Sequence, residues 1–386
     1  MQEQIIFTQS PEFRRFVENL SNQKAAAYVH GVFIHLHPVW QEMFDYARVT
    51  GTPTDADETG WWPLSQEPRP SGTYDVNPEA MPMRKTWDRY CERCHKKPQY
   101  PFVVTLWVLP LLRENTESYR DLIRLGDQQP FFVRLQERPM AELAVDVEGA
   151  TEITAPGSGA LGGFLRDQDE RFWGVTCGHV ARVVGDPFHF VDIGGTPYPN
   201  AGKIGHSNFA SLIPAPGGLC NPYVNTGNPD TDGALLEPGS HFTPLNTVKG
   251  LGTIDEIFDR KRLNSGSSVC MNGIKSGVQD YAIGGYGVTL KVKLRTTKQQ
   301  HFCFSHVFEF YDPRPAPSWM PAKVVQWWAA RPLQGDSGSW VCFRKESGTF
   351  AYFGNLIAVQ GLTGIATFAD SLIAWANTCG IKLSVF

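Results

Sequence analysis

A chain of 386 residues with 42% hydrophobic and 19% charged residues can bury more than one core, so two domains are expected. A net charge of -4 gives no electrostatic reason to expect nucleic acid or an anionic membrane as the main partner, since both demand a basic surface, which here could only be a local patch. The start, Met1 to Phe7, has no secretory signal, and the longest apolar run, Phe102 to Leu112, is broken by Pro110, so the expected location is cytoplasmic.

In chain order, Ser10-Pro11 followed by Phe13, Phe16 and Val17 predicts a capped helix. Gly51 to Pro82 is dense in Pro, Gly and Asp around Trp61-Trp62 and reads as a long loop. Trp87 to Lys97 reads as a helix, Phe102 to Leu109 as a buried strand and Ser118 to Leu125 as a second helix, giving residues 1–150 a mixed α/β character. Within them Cys91-Glu92-Arg93-Cys94-His95 matches a haem-attachment spacing, but such attachment needs export, and a zinc site would need a second close pair. No cofactor or metal is therefore assigned. The eight cysteines lie mostly singly in apolar contexts, which predicts buried thiols and no disulfide framework.

From about residue 151 short β-branched and aromatic runs alternate with turn residues, as in Phe172 to Thr176, Gly287 to Leu294 and Phe302 to Phe310. That rhythm predicts a mainly β domain over 151–386, closed by a helix over Asp370 to Cys379.

Three strings in that region carry chemistry. Gln334-Gly335-Asp336-Ser337-Gly338-Ser339-Trp340 sets a serine between glycines, which suits a tight turn exposing a hydroxyl beside converging backbone N–H groups. Trp173 to Val180 runs a strand into a Gly178-His179 corner, where an imidazole can stand at a strand end. Asp232 precedes the apolar run Ala234-Leu235-Leu236, and a carboxylate so placed can accept from the second imidazole nitrogen. Each string alone also fits an ordinary turn or a satisfied core histidine.

Together the strings resemble the trypsin/chymotrypsin-like serine proteases over about residues 155–386. The order His179, Asp232, Ser337, with gaps of 53 and 105 residues, is the order of that family. Gly159 to Leu165 resembles its opening strand, and Asn355 to Gly361 the strand bordering its substrate cleft. The resemblance implies two six-stranded antiparallel β-barrels and a serine endopeptidase acting through an acyl-enzyme. Ser337 is then the nucleophile, His179 the base, Asp232 its orienting group, and the N–H groups of Gly335 and Ser337 the oxyanion hole. It further implies substrate contacts at Arg331, which would favour an acidic side chain, and at Gln360 and Gly361, with Trp327, Trp328 and Trp340 shaping the cleft.

The chain departs from the family in having no Ile-Val-Gly-Gly activation string, so Asp336 needs another partner. Residues 1–150 are expected to regulate the protease or to recruit its substrate, and the expected partners are a protein or peptide substrate and a regulatory partner acting through that region. The architecture suggests limited proteolysis in signalling or defence. The competing reading is a protease-like binding module that has lost its chemistry.

Overall fold

The computed structural model describes residues 2–37, 100, 102–143, 152–154, 158–191, 197–212, 214–215, 218–223, 231–240, 242–262, 267–294, 300–314 and 329–386. The Cys91, Cys94 and His95 cluster, the loop with Trp61-Trp62, the helix expected over Trp87 to Lys97, and Trp327 and Trp328 lie outside the described residues.

The N-terminal part begins with helices α1 (Gln2–Thr8) and α2 (Pro11–Ser21). Ser10 caps α2 as expected, its Oγ accepting from Phe13 N at 3.3 Å, and the helix buries Phe13, Phe16, Val17 and Leu20. Strands β1 (Val29–Leu36), β2 (Phe102–Val108) and β3 (Phe132–Glu137) follow, with α3 (Thr116–Asp127) capped by Asn115 before β3. β4 (Ala141–Leu143) is a three-residue strand at the end of this region.

Seven strands form one sheet: β5 (Glu152–Thr154), β6 (Ser158–Ala160), β7 (Gly163–Arg166), β8 (Phe172–Thr176), β9 (Pro187–Val191), β10 (Pro197–Ser207) and β11 (Ala234–Pro238), in the order β6-β5-β9-β10-β11-β8-β7. The expected opening strand over Gly159 to Leu165 is thus two strands. Its break falls at Leu161 and Gly162, and at Gly162 and Gly163 the backbone lies so close to Trp340 that an added Cβ would come within 2.1 and 2.6 Å of the indole.

The C-terminal half adds β12 (Thr247–Val248), β13 (Gly252–Ile257), β14 (Ser268–Gly273), β15 (Gly277–Leu294), β16 (Gln300–Tyr311), β17 (Trp340–Arg344), β18 (Phe350–Gln360) and β19 (Thr363–Phe368). β14, β15, β16, β19, β18 and β17 each pair with the next, and β17 pairs back with β14. Helix α4 (Ala369–Thr378) follows β19, and Gly380 just beyond it takes a left-handed φ of +79°. The mainly β architecture with a closing helix is the one expected.

The closed set of six strands carries further strands on its sheet. β1 pairs with β15, Gly31 opposite Leu290 and Ile34 opposite Tyr286, and carries β2 and β3 onto the same sheet, which reaches twelve strands among the described residues. One continuous apolar cluster accordingly joins Phe7, Phe16 and Leu106 to Tyr286, Phe308 and Phe353.

A disulfide links Cys220 to Cys303, which corrects the expectation of unpaired thiols. Sequence proximity could not reveal it, since the two cysteines are 83 residues apart and meet only when β16 reaches the loop ahead of Asp232. No helix among the described residues is long and apolar enough to cross a membrane.

Candidate active site

Register brings the first two site residues together. β8 and β11 are antiparallel neighbours with Ala234 opposite Thr176, so the residues just after β8 and just before β11 share one end of the sheet. After β8 the chain takes a helical turn, Val180 N and Ala181 N both donating to Cys177 O at 3.1 Å, and that turn carries His179. Asp232 sits across from it. One carboxylate oxygen accepts from His179 N at 2.9 Å and the other meets His179 Nδ1.

Ser337 arrives from the other sheet, in the turn before β17. The N–H of Gly338 donates to Leu356 O at 2.9 Å and Ala160 N donates to Ser337 O at 2.7 Å, so the turn is tied to β18 on one side and to β6 on the other. Ser337 Oγ lies 3.0 Å from His179 Nε2 and 3.3 Å from Ile357 O. His179, Asp232 and Ser337 are all fully buried. The imidazole thus has a carboxylate on one nitrogen and a hydroxyl on the other, the arrangement needed to take a proton from the hydroxyl.

Gly335 precedes the serine with φ +95°, a left-handed conformation that only glycine adopts without strain, and its N–H and that of Ser337 are the two donors expected to face a developing oxyanion. Asp336 has the partner that the sequence left open. Its carboxylate accepts from Lys275 N at 2.6 Å and from Leu333 N at 2.8 Å, so backbone amides hold the turn without a freed terminal amine. Burial raises the Asp336 carboxyl above its usual range, and these hydrogen bonds offset part of the rise.

Sequence reasoning missed Asn208. Its Oδ1 accepts from Gly233 N at 2.8 Å and its Nδ2 donates to Thr231 O at 2.6 Å, clamping the backbone on both sides of Asp232. A lone asparagine in a turn gives no sequence signal of such a role. Cys177, His179 and Asp232 bring three ligand-type atoms within 4.8 Å of one another, the composition of a small metal site. His179 Nδ1 and Asp232 are already committed to each other, and burial keeps the Cys177 thiol protonated by raising it well above its usual range, so these donors do not fit a metal.

The expected substrate contacts are not gathered beside the triad in the same way. Arg331 is half-buried and forms no ion pair among the described residues. Gly361 is exposed in the β18–β19 turn with φ +60°. The Gln360 side chain is buried and occupied, donating to Pro139 O and accepting from Arg138 Nη1 at 3.1 Å. A 630 Å³ concavity adjoins the nucleophile turn instead, lined by Ala160, Leu161, Thr247, Lys249, Asn272 and Ile274 among others.

No protein-family model matches the chain, and no curated protein matches it in sequence. Solved structures similar to it include a Nocardiopsis protease, 17% identical, covering 62% of this chain and 98% of its own with a TM-score of 0.37. Protease A of Thermobifida fusca is 15% identical over 62% of this chain and 98% of its own, TM-score 0.37. The chymotrypsin of Cellulomonas bogoriensis is 15% identical over 62% and 100%, TM-score 0.36. By motif order and by its mainly β architecture with a closing helix, the chain resembles the trypsin/chymotrypsin-like serine proteases.

Proposed function

We propose that the chain is a serine endopeptidase that cleaves a protein substrate through an acyl-enzyme. The observation that carries this reading is the contact of His179 with both Ser337 Oγ, at 3.0 Å, and Asp232. Ser337 Oγ attacks the scissile carbonyl carbon while its proton passes to His179 Nε2, and the carbonyl oxygen, now an anion, is received by the N–H groups of Gly335 and Ser337. His179 then protonates the leaving amine, and water repeats the sequence in reverse roles to release the acid. Asp232 fixes the imidazole tautomer and stabilises the imidazolium.

The Cys220–Cys303 disulfide favours an oxidising compartment over the cytoplasmic location suggested by the sequence. The defining experiment is fluorophosphonate labelling of the full-length protein, with Ser337→Ala and His179→Ala as comparisons. Labelling lost in both variants supports an activated serine. Labelling that survives in Ser337→Ala places the reactive group elsewhere and removes this reading.

A further inference from the structure

We infer that β4 (Ala141–Leu143) occupies the peptide-binding edge of the proposed protease and holds it latent in cis. The inference rests on the serine-nucleophile reading of Ser337. β4 pairs antiparallel with β18, Glu142 opposite Val359 and Leu143 opposite Ala358. The next residue of β18 is Ile357, whose carbonyl accepts from Ser337 Oγ. The β4 backbone therefore advances residue by residue towards the nucleophile along a strand edge. An extended substrate is commonly held by adding itself as a strand to such an edge, and one edge carries only one set of donors and acceptors. While β4 is paired there, a substrate backbone is excluded. The complete burial of Ser337 and His179 is an independent sign of the same state, since a serine that is to meet a polypeptide must be reachable.

A strand of three residues does not hold itself in place. Three residues before it, Arg138 is fixed by five partners. Its N–H donates to Val108 O at 3.0 Å, its carbonyl accepts from His30 Nε2 at 3.1 Å, and its guanidinium lies 4.4 Å over the Trp107 ring. The same guanidinium reaches Gln360 and the buried Glu309, which also meets His35. The partners come from β1, β2, β16 and β18, so the N-terminal strands anchor the segment that blocks the edge. On its other side β4 is parallel to β15, Ala141 opposite Val292.

The test uses the full chain in three forms: wild type, Arg138→Ala, and Glu142→Pro, which removes one backbone donor from β4 and leaves Arg138, Glu309 and Gln360 intact. Fluorophosphonate labelling is timed for each, hydrogen exchange reports whether residues 139–143 have been released, and thermal melting confirms that each variant is folded. Labelling about tenfold faster in both released variants, reversed by adding a synthetic peptide of sequence 137–143, is the expected result. Equal, non-zero labelling of released variants and wild type would overturn the blockade and leave the serine reading standing. No labelling of any form, with release demonstrated by exchange, would sink the serine reading and the blockade with it.

Discussion

At single residues the site's chemistry is set by partners that have no substitutes. Asp232 spends both carboxylate oxygens on His179, one on the backbone N–H and one on Nδ1. Asp232→Asn keeps the size but presents a donor or a weaker acceptor to Nδ1, which favours the wrong imidazole tautomer. Turnover of an amide substrate, measured in the variant released from β4, is expected to fall about 10⁴-fold in kcat with little change in KM. A loss below about tenfold would mean that another group orients the imidazole. Gly338 is constrained differently. It has φ +94°, and an added Cβ would lie 2.3 Å from Ala160 O and 2.5 Å from Thr176 Oγ1. Those two atoms are hydrogen-bonded to each other at 2.7 Å, so neither yields freely. Gly338→Ala is therefore expected to cost about 3 kcal/mol or more in urea unfolding. Gly348 is a control, since φ there is +83° and nothing lies within 4 Å. Its Ala variant bears the left-handed penalty alone, about 1–2 kcal/mol. Equal losses at the two sites would show that the close contacts at Gly338 contribute nothing.

Between elements, what was readable in the sequence and what was not separate along a physical line. The serine turn, the histidine corner and the aspartate before β11 were legible because each packs its chemistry into a few contiguous residues. Helix α2 was legible because Ser10, Pro11 and the Phe13-Phe16-Val17 spacing act within three turns. The pairing of β1 with β15, the placement of β4 on β18 and the Arg138–Glu309 contact join residues more than a hundred positions apart, and no local periodicity encodes them. Gln360 shows the consequence: its place on the cleft-bordering strand was legible, but its occupation by Arg138 and Pro139 was not. The disulfide belongs to the same class. Joining Cys220 to Cys303 closes an 83-residue separation, for which the chain-entropy model gives a stabilisation of about 4–5 kcal/mol as an upper figure. Cys220→Ser with Cys303→Ser should lower the unfolding midpoint in urea, and a non-reduced digest of the wild type should yield the two cysteines in one linked peptide. Recovery of both as separate alkylated peptides would contradict the bond.

Across the whole molecule, the anchoring of the N-terminal strands makes stability sensitive to acid. His30 lies in β1, 1% exposed, with Nε2 donating to the Arg138 carbonyl and Nδ1 without a hydrogen-bond partner among the described residues. Burial is the main cause that lowers it from 6.5 to about 4; the bond to Arg138 O opposes the shift, and the Lys291 and Arg138 charges add to it. A histidine lowered on folding binds its proton more readily in the unfolded chain, so its neutral form favours the fold above pH 6.5, and that contribution is lost as the pH falls from there towards 4. Glu309 acts in the same direction at lower pH. Burial would raise it, but His35 and Arg138 outweigh burial and hold it below its ordinary range, so the stability it supplies disappears as acid protonates it. Between about pH 6.5 and 4.5 His30 alone should cost about 2–3 kcal/mol of unfolding free energy. His30→Gln keeps a donor for the Arg138 carbonyl and has no proton to gain, so its urea midpoint should change less over that interval than that of the wild type. Because His30 and Glu309 both touch Arg138, the loss concentrates on the contacts that seat β4. Hydrogen exchange over residues 138–143 should accordingly rise in acid before exchange in β17 and β18 does, and simultaneous exchange of all three would mean that acid unfolds the chain as one unit instead of releasing the segment first.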